Sequence, residues 1–270
     1  MAVDIAALAA DLHAETAALD ALLLPLDAAG WATPTPAPGW SVHDQISHLA
    51  YFDDATRLAV CDDEWFSTER EHALLDVDAY TNEIAAWFRD LPPAELFAWF
   101  HRAREEMVSM FLTMDPAERV PWFGPSMSAP AALTARIMET WAHGQDVADA
   151  LGATRAPTPA LRQVAHICVR ALPNSFRTHR LPVPEGAGRA VRVVLTGPDG
   201  DEWVWGETDA PDRVTGDAVE FCMMATQRRH VADTSLLVVG PVAEQWMTIA
   251  QAFAGPAGAG RSPGQFGTRQ

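Results

Sequence analysis

Residues 131–152 read AALTARIMETWAHGQDVADALG, and this stretch decides the fold. Apolar residues recur in it at helical spacing, and Gly152 follows as the natural left-handed C-cap of a long helix. Glu139 and His143 are four residues apart and so share one face of that helix. An imidazole and a carboxylate one turn apart can take neighbouring positions on a divalent metal. On spacing alone the pair reads first as a hydrogen bond or ion pair on a helix surface, the common use of this spacing. Met138, Trp141 and Val147 are its apolar neighbours and point to an inner face. Asp146, three residues beyond His143, reads either as an acceptor for its imidazole N–H or as a cap or solvated residue at the helix end.

A second stretch, PGWSVHDQISHLAYFD at residues 38–53, supplies what the first lacks. Ser41 with Asp44 three residues later is a variant of the capping box, so a helix is expected to run on through VHDQISHLAYFDDATRLAV. His48 lies on it, flanked by Ile46, Leu49 and Phe52. Alone it reads as a core histidine bonded to backbone. Helix bundles, however, build metal sites from side chains on facing helices. His48 with Glu139 and His143 would offer two neutral nitrogens and one carboxylate, leaving coordination positions open for water or substrate. Zinc is the first expectation; iron, nickel and manganese suit the same donor set. His43, in the first turn of its helix, is expected to be solvated. His13, His72, His101, His166 and His179 have no partner at ligand spacing in a comparable context.

The remainder of the first half is also helical in pattern: residues 3–25, then a proline-rich loop, then residues 78–113 with a break at Pro92–Pro93. Four long helices with loops between them describe a four-helix bundle. Charge marks its end. Residues 1–155 hold 25 acidic residues and 8 arginines, whereas residues 156–270 hold 11 of each. Such a step predicts two domains, 1–155 and 156–270, with the seam near Gly152–Pro159. The second half is mixed. Residues 159–179 read as helix; 190–196 and 202–206 read as strands joined by the turn GPDGD. A helix over 215–229 opened by Thr215, a strand at 236–240 and a helix over 241–253 complete a smaller α+β domain. The Gly-rich tail from Gly255 onward is expected to gain order only by docking. Arg228 and Arg229 end one predicted helix beside His230. They either pair with the helix C-terminus or clamp an anion.

The 270 residues, 49% hydrophobic, suffice for a large core without disulfide or metal staples. All 19 basic residues are arginine, against 36 acidic ones, for a net charge of −17. That balance argues against a general nucleic-acid binder and against a polybasic membrane surface. No run of apolar residues is long enough to span a bilayer, and the acidic N-terminus lacks the pattern of a signal peptide, so a cytoplasmic location is expected. Cys61, Cys168 and Cys222 are dispersed and form no CxxC, which suggests neither a disulfide framework nor a thiolate zinc site. A homodimer is compatible with the sequence, which shows no surface patch to specify one. Neither a phosphate-binding glycine loop, nor a serine nucleophile elbow, nor HExxH is present.

The two stretches together resemble the DinB-like superfamily, in its mycothiol-dependent maleylpyruvate isomerase branch. PGWSVHDQISHLAYFD is similar to its first metal motif and METWAHGQDVADALG to its second. The resemblance implies a metal on His48, Glu139 and His143. It extends over nearly the whole chain, with a C-terminal α+β module reminiscent of sterol carrier proteins, and the overall pattern looks most like an uncharacterised metal-binding subgroup. The branch implies an enzyme with two small-molecule partners, a substrate and a low-molecular-weight thiol such as mycothiol. The metal would hold the thiol as thiolate, the thiolate would add to a conjugated substrate, a bond would rotate and the thiol would leave. The family also places an arginine of its C-terminal domain near the substrate; Arg228 in MMATQRRH is the nearest match, with Arg229 as the other candidate. QRR stands where the isomerase has a Gly-Arg pattern, which sets maleylpyruvate itself apart as a substrate.

The expected function is therefore a metal-dependent isomerase or thiol S-transferase. Its alternatives are a non-catalytic metal-binding or stress-response module, marked by a fourth protein ligand, and a tRNA protein of wyosine-base formation, marked by salt-dependent tRNA binding.

Overall fold

The computed structural model describes residues 4–186 and 190–266, in two compact units, Met1–Ala160 and Leu161–Gln270. The first unit contains α1 (Ile5–Leu23), α2 (Ala28–Trp31), α3 (Val42–Cys61), α4 (Asp63–Leu75), α5 (Val77–Trp87), α6 (Pro93–Thr113), a two-stranded ribbon of β1 (Arg119–Val120) and β2 (Met127–Ser128), and α7 (Ala129–Leu151). The expected four long helices are α1, α3, α6 and α7. The short α2, the helix α4 and the ribbon are additions to that reading. The expected first helix was drawn from Val3, which lies outside the described residues.

Each bundle helix starts where its sequence permits. Asp4 caps α1 by accepting from the amides of Ala6 and Ala7. Ser41 and Asp44 form the full capping box of α3, with the Ser41 amide donating to Asp44 Oδ2 at 2.8 Å. Gly152 ends α7 at φ 63°, and its amide returns to the carbonyls of Ala148 and Asp149. α3 packs chiefly on α6, α1 on α7, and α3 on α7. The core between them holds Leu19, Leu23, Ile46, Leu49, Phe100 and Val147. α3 and α7 are the interior helices. Every residue from Val42 to Asp53 is buried, and Glu139 is the one position between Arg136 and Ala148 that is not.

A buried ion cluster ties the four long helices together. Asp53 on α3 accepts from Arg104 Nε on α6 at 2.7 Å and from Arg136 Nε on α7 at 2.9 Å. Arg104 Nη1 reaches Thr16 on α1 at 2.6 Å, and Arg136 Nη2 the Leu49 carbonyl at 3.3 Å. A second clamp joins the ends of the unit. Glu15 on α1 accepts from Arg155 Nη2 at 2.7 Å and from the Thr158 hydroxyl. The Arg155 guanidinium lies over the α carbon of Gly144, where a methyl group would stand 3.2 Å from it. The glycine after His143 thus admits the arginine against α7.

The second unit contains α8 (Leu161–Arg170), α9 (Leu172–Thr178), β3 (Val191–Thr196), β4 (Glu202–Trp205), β5 (Asp212–Asp217), α10 (Ala218–Ala225), β6 (Leu237–Val239) and α11 (Pro241–Ile249). The sheet order is β4-β3-β5-β6, with β3 antiparallel to β4 and parallel to β5. The expected hairpin over GPDGD is present. The helix expected from Thr215 is not: Thr215 is a strand residue paired with Val194, and the helix starts at Ala218 under the cap of Asp217. Val191, Val193 and Leu195 bury one face of β3, and Val214 extends that apolar row into β5, which holds 212–217 in the sheet. Asp212 Oδ1 accepts from the amides of Val242 and Ala243, so β5 also caps α11. The tail docks as expected, with Gly258 N on Gln251 Oε1, Gly264 N on Asp233, and the Phe266 ring 4.0 Å from the Arg229 guanidinium. Among the described residues, no helix is long and apolar enough to cross a membrane.

Candidate metal centre

α3 and α7 run side by side and bring His48, Glu139 and His143 together. Glu139 Oε2 lies 3.1 Å from His143 Nε2 and 3.8 Å from His48 Nε2. One donor atom from each residue falls within 4.8 Å of the other two. Ligands at 2.0–2.1 Å around a tetrahedral zinc are about 3.3 Å apart, so the two shorter spacings bracket that edge. The side chains keep 11%, 22% and 11% of their surface exposed for His48, Glu139 and His143, which leaves one side of the cluster open to solvent. Among the described residues, the cluster contains these three ligating side chains and no fourth.

The walls are aromatic. The Trp40 ring stacks on His143, with centroids 6.0 Å apart and planes at 15°, and its indole N–H is anchored on Asn82 Oδ1 at 2.8 Å. Phe52 covers His48 at 4.6 Å, and the two imidazole centroids are 4.4 Å apart. Burial lowers the His48 pKa to about 4, reinforced by the neighbouring His143 and opposed by Glu139. His48 is therefore a neutral imidazole at physiological pH. A divalent metal takes such a carboxylate ionised and such imidazoles neutral.

The hydrogen bonds around His143 test whether that donor set fits a cation. Thr35 donates its hydroxyl to the Trp40 carbonyl at 2.9 Å, so its oxygen accepts from Gln45 Nε2 at 2.8 Å. The Gln45 carbonyl oxygen is thereby turned to His143 Nδ1, which donates to it. With the ring proton on Nδ1, Nε2 presents a lone pair to the Glu139 carboxylate. Two acceptors at 3.1 Å converge on a place for a positive charge, and the site fits a divalent metal. His48 Nδ1 is buried without a hydrogen-bond partner among the described residues.

Two expectations are corrected. The acceptor at His143 Nδ1 is Gln45, whose amide reaches across from α3, rather than Asp146. His43 is not solvated: it is buried, its Nε2 bonds to the Leu91 carbonyl at 2.8 Å, and Trp31 packs on its ring. The remaining histidines do not join the cluster. His13, His72 and His101 each face one carboxylate, Glu105, Glu83 and Asp20 respectively. Arg228 belongs to the second unit, at the C-terminal end of α10, where its Nη1 donates to the Thr226 carbonyl at 2.7 Å. Arg229 Nη1 donates to the Arg228 carbonyl at 2.7 Å. Gln45 and Trp40 were not singled out from the sequence. Gln45 stands three residues before His48 and so on the same helix face, a signal that was there to read.

Comparison with known proteins places this arrangement. Residues 12–148 match the model of the mycothiol maleylpyruvate isomerase N-terminal domain. Two uncharacterized proteins of Mycobacterium tuberculosis, from strains CDC 1551 / Oshkosh and ATCC 25618 / H37Rv, are each 44% identical over 252 residues, 93% of this chain and 97% of theirs. Among solved structures, a mycothiol-dependent maleylpyruvate isomerase shares the fold at a TM-score of 0.55 and 18% identity, covering 84% of this chain and 90% of its own. A mutant of that isomerase gives 0.54 and 17% over the same shares. The bundle, the two motifs and the family match agree, and the chain belongs to the mycothiol maleylpyruvate isomerase N-terminal domain family, within the DinB-like superfamily.

Proposed function

We propose that the protein is a divalent-metal-binding, thiol-dependent isomerase or S-transferase that acts on a small molecule, with zinc as the metal and a mycothiol-type thiol as cosubstrate. The observation that carries this reading is the convergence of His48 Nε2, Glu139 Oε2 and His143 Nε2 on one partly open position. A divalent metal bound there supplies the positive charge that keeps a thiol deprotonated near neutral pH. Glu139 lends that position one negative charge. His48 and His143 add none, so positive charge is left over to favour an anionic thiolate. Trp40 and Phe52 thin the water around the position and strengthen every charge interaction within it. The absence of a fourth ligating side chain among the described residues favours a catalytic over a purely structural metal. Arg228 is the proposed anion-binding residue for a carboxylate on the substrate.

The test is metal content per chain, by elemental mass spectrometry, on protein purified without an affinity tag. Near one equivalent is expected in wild type, falling sharply in His48→Ala. No metal in either protein overturns the proposal. Turnover of a conjugated electrophile is then expected only with thiol present, and Arg228→Ala should raise KM for an acidic substrate more than it lowers kcat.

A further inference from the structure

The donor geometry of the metal centre depends on a residue that is not a ligand. Gln45 is fully buried on α3. A buried amide is costly unless its polar atoms are paired. Here both ends are used, and each bond has a fixed sense. The Trp40 carbonyl can only accept, so Thr35 donates to it; the Thr35 oxygen then receives the Gln45 N–H; the Gln45 carbonyl is left for His143 Nδ1.

We infer that Gln45 is a positioning residue that holds His143 as the Nδ1–H tautomer and thereby keeps its Nε2 lone pair aimed at Glu139 for a cation. The inference deepens the metal reading above and rests on it for its effect on affinity; the tautomer itself does not depend on metal. Neutral histidine in water favours the opposite, Nε2–H tautomer. Without the Gln45 carbonyl, that proton would lie between His143 Nε2 and Glu139 Oε2, 3.1 Å apart, as an ordinary hydrogen bond. It would occupy the place of the metal and would have to leave before one could bind. Gln45 withholds it. The device also explains why ligand and orienting group are divided between helices. α3 supplies His48 as one ligand and, three residues earlier on the same face, the acceptor that sets the other imidazole on α7. The lock extends to the loop before α3, since Thr35 and Trp40 both lie there and Trp40 also stacks on the ring being oriented.

Two readouts test this on the full-length protein. The first is the tautomer of His143 in metal-free protein, from long-range 15N–1H correlation of 15N-histidine-labelled samples, with His143→Asn identifying the resonance. Wild type should show a protonated Nδ1 and a bare Nε2. Gln45→Leu should move the proton toward Nε2, and Thr35→Val should do so in part. The second readout is zinc affinity by chelator competition. Loss of an orienting partner of this kind costs about 10–100-fold, which is the fall expected for Gln45→Leu. Gln45→Glu restores an acceptor of the same shape and should return affinity to near wild type, a rescue that mere loss of packing would not show. An Nε2–H tautomer in wild type, or undiminished zinc affinity in Gln45→Leu, overturns the inference. Should wild type bind no zinc while its His143 is Nδ1–H and shifts in Gln45→Leu, the metal reading fails and the positioning role stands. If Gln45→Leu does not fold, Thr35→Val and Gln45→Glu carry the same comparison.

Discussion

Replacing Asp53 with alanine should destabilise the bundle far more than removing any exposed charge. Asp53 and Arg104 are fully buried and Arg136 is 3% exposed, so the two guanidiniums share one carboxylate with no water to replace it. Removing one partner of a buried ion pair costs about 3–5 kcal/mol, mostly from the charge left behind. Asp53→Ala leaves two such charges, and the upper end of that range is expected. An exposed pair gives the control. Arg57 and Glu106, 3.3 Å apart with 29% and 47% of their side chains exposed, should lose less than about 1 kcal/mol in Glu106→Ala. Urea unfolding of metal-depleted protein, followed by circular dichroism, reads both. With a slope of about 1–3 kcal/mol per molar urea, the Asp53→Ala midpoint should fall by more than about 1 M while Glu106→Ala stays close to wild type. A third variant separates charge from packing. Asp53→Leu with Arg104→Met and Arg136→Met removes the whole cluster and should recover most of the loss, since hydrophobic replacement of a complete buried ion cluster is often neutral or better. Equal midpoints for Asp53→Ala and Glu106→Ala would refute the reasoning.

Three further outcomes are expected. The chain has two tyrosines, Tyr51 and Tyr80, hydrogen-bonded to each other and to Glu69 Oε2, and burial pushes both phenols above their ordinary value of 10. Because the folded-state pKa values are raised, the stability these groups contribute is fully present below pH 10 and is lost above it; phenolate absorbance should appear only together with alkaline unfolding, and a phenolate signal near pH 10 in folded protein would contradict this. Metal at 100 times its dissociation constant adds about 2.7 kcal/mol, so a chelator should lower the Tm of the wild-type protein by several degrees and leave that of Glu139→Gln unmoved; equal shifts in both would place the metal elsewhere. Asp212→Ala removes the cap of α11 and should cost about 0.5–2 kcal/mol, seen as faster amide exchange at Val242 and Ala243, with Asp212→Asn close to wild type.

The features legible in the sequence were those set by short-range rules. The Ser41–Asp44 capping box, the Gly152 cap and the shared face of Glu139 and His143 depend on neighbours three or four residues away, and the structure contains all three. What escaped notice depends on distant partners. Thr215 reads locally as a helix start, but β3 lies beside it and takes its segment into a sheet. His43 stands in a first helical turn, where water is the usual partner; the Leu91 carbonyl, far along the chain, takes that role. Nothing within a turn of Asp53 or Arg136 marks them for burial; Asp53 on α3 is paired by Arg104 from α6 and Arg136 from α7. Gln45 carried a local clue in its spacing from His48, but its role emerges only with His143 across the helix pair.

The pairing of α1 with α7, fastened by Glu15, Arg155 and Thr158, has a consequence for biosynthesis. Chains emerge from the ribosome N-terminus first, and α3 can meet α6 while the last bundle helix is still in the tunnel. α1 can meet α6 early, but it lacks its α7 neighbour until residues beyond 150 are free. Two of the three clustered side chains, Glu139 and His143, are on that same late helix. A nascent chain therefore carries His48 without Glu139 and His143 until α7 is made, and the cluster cannot assemble before the bundle is able to close. Assembly of the cluster is postponed to the moment at which the architecture can shield it.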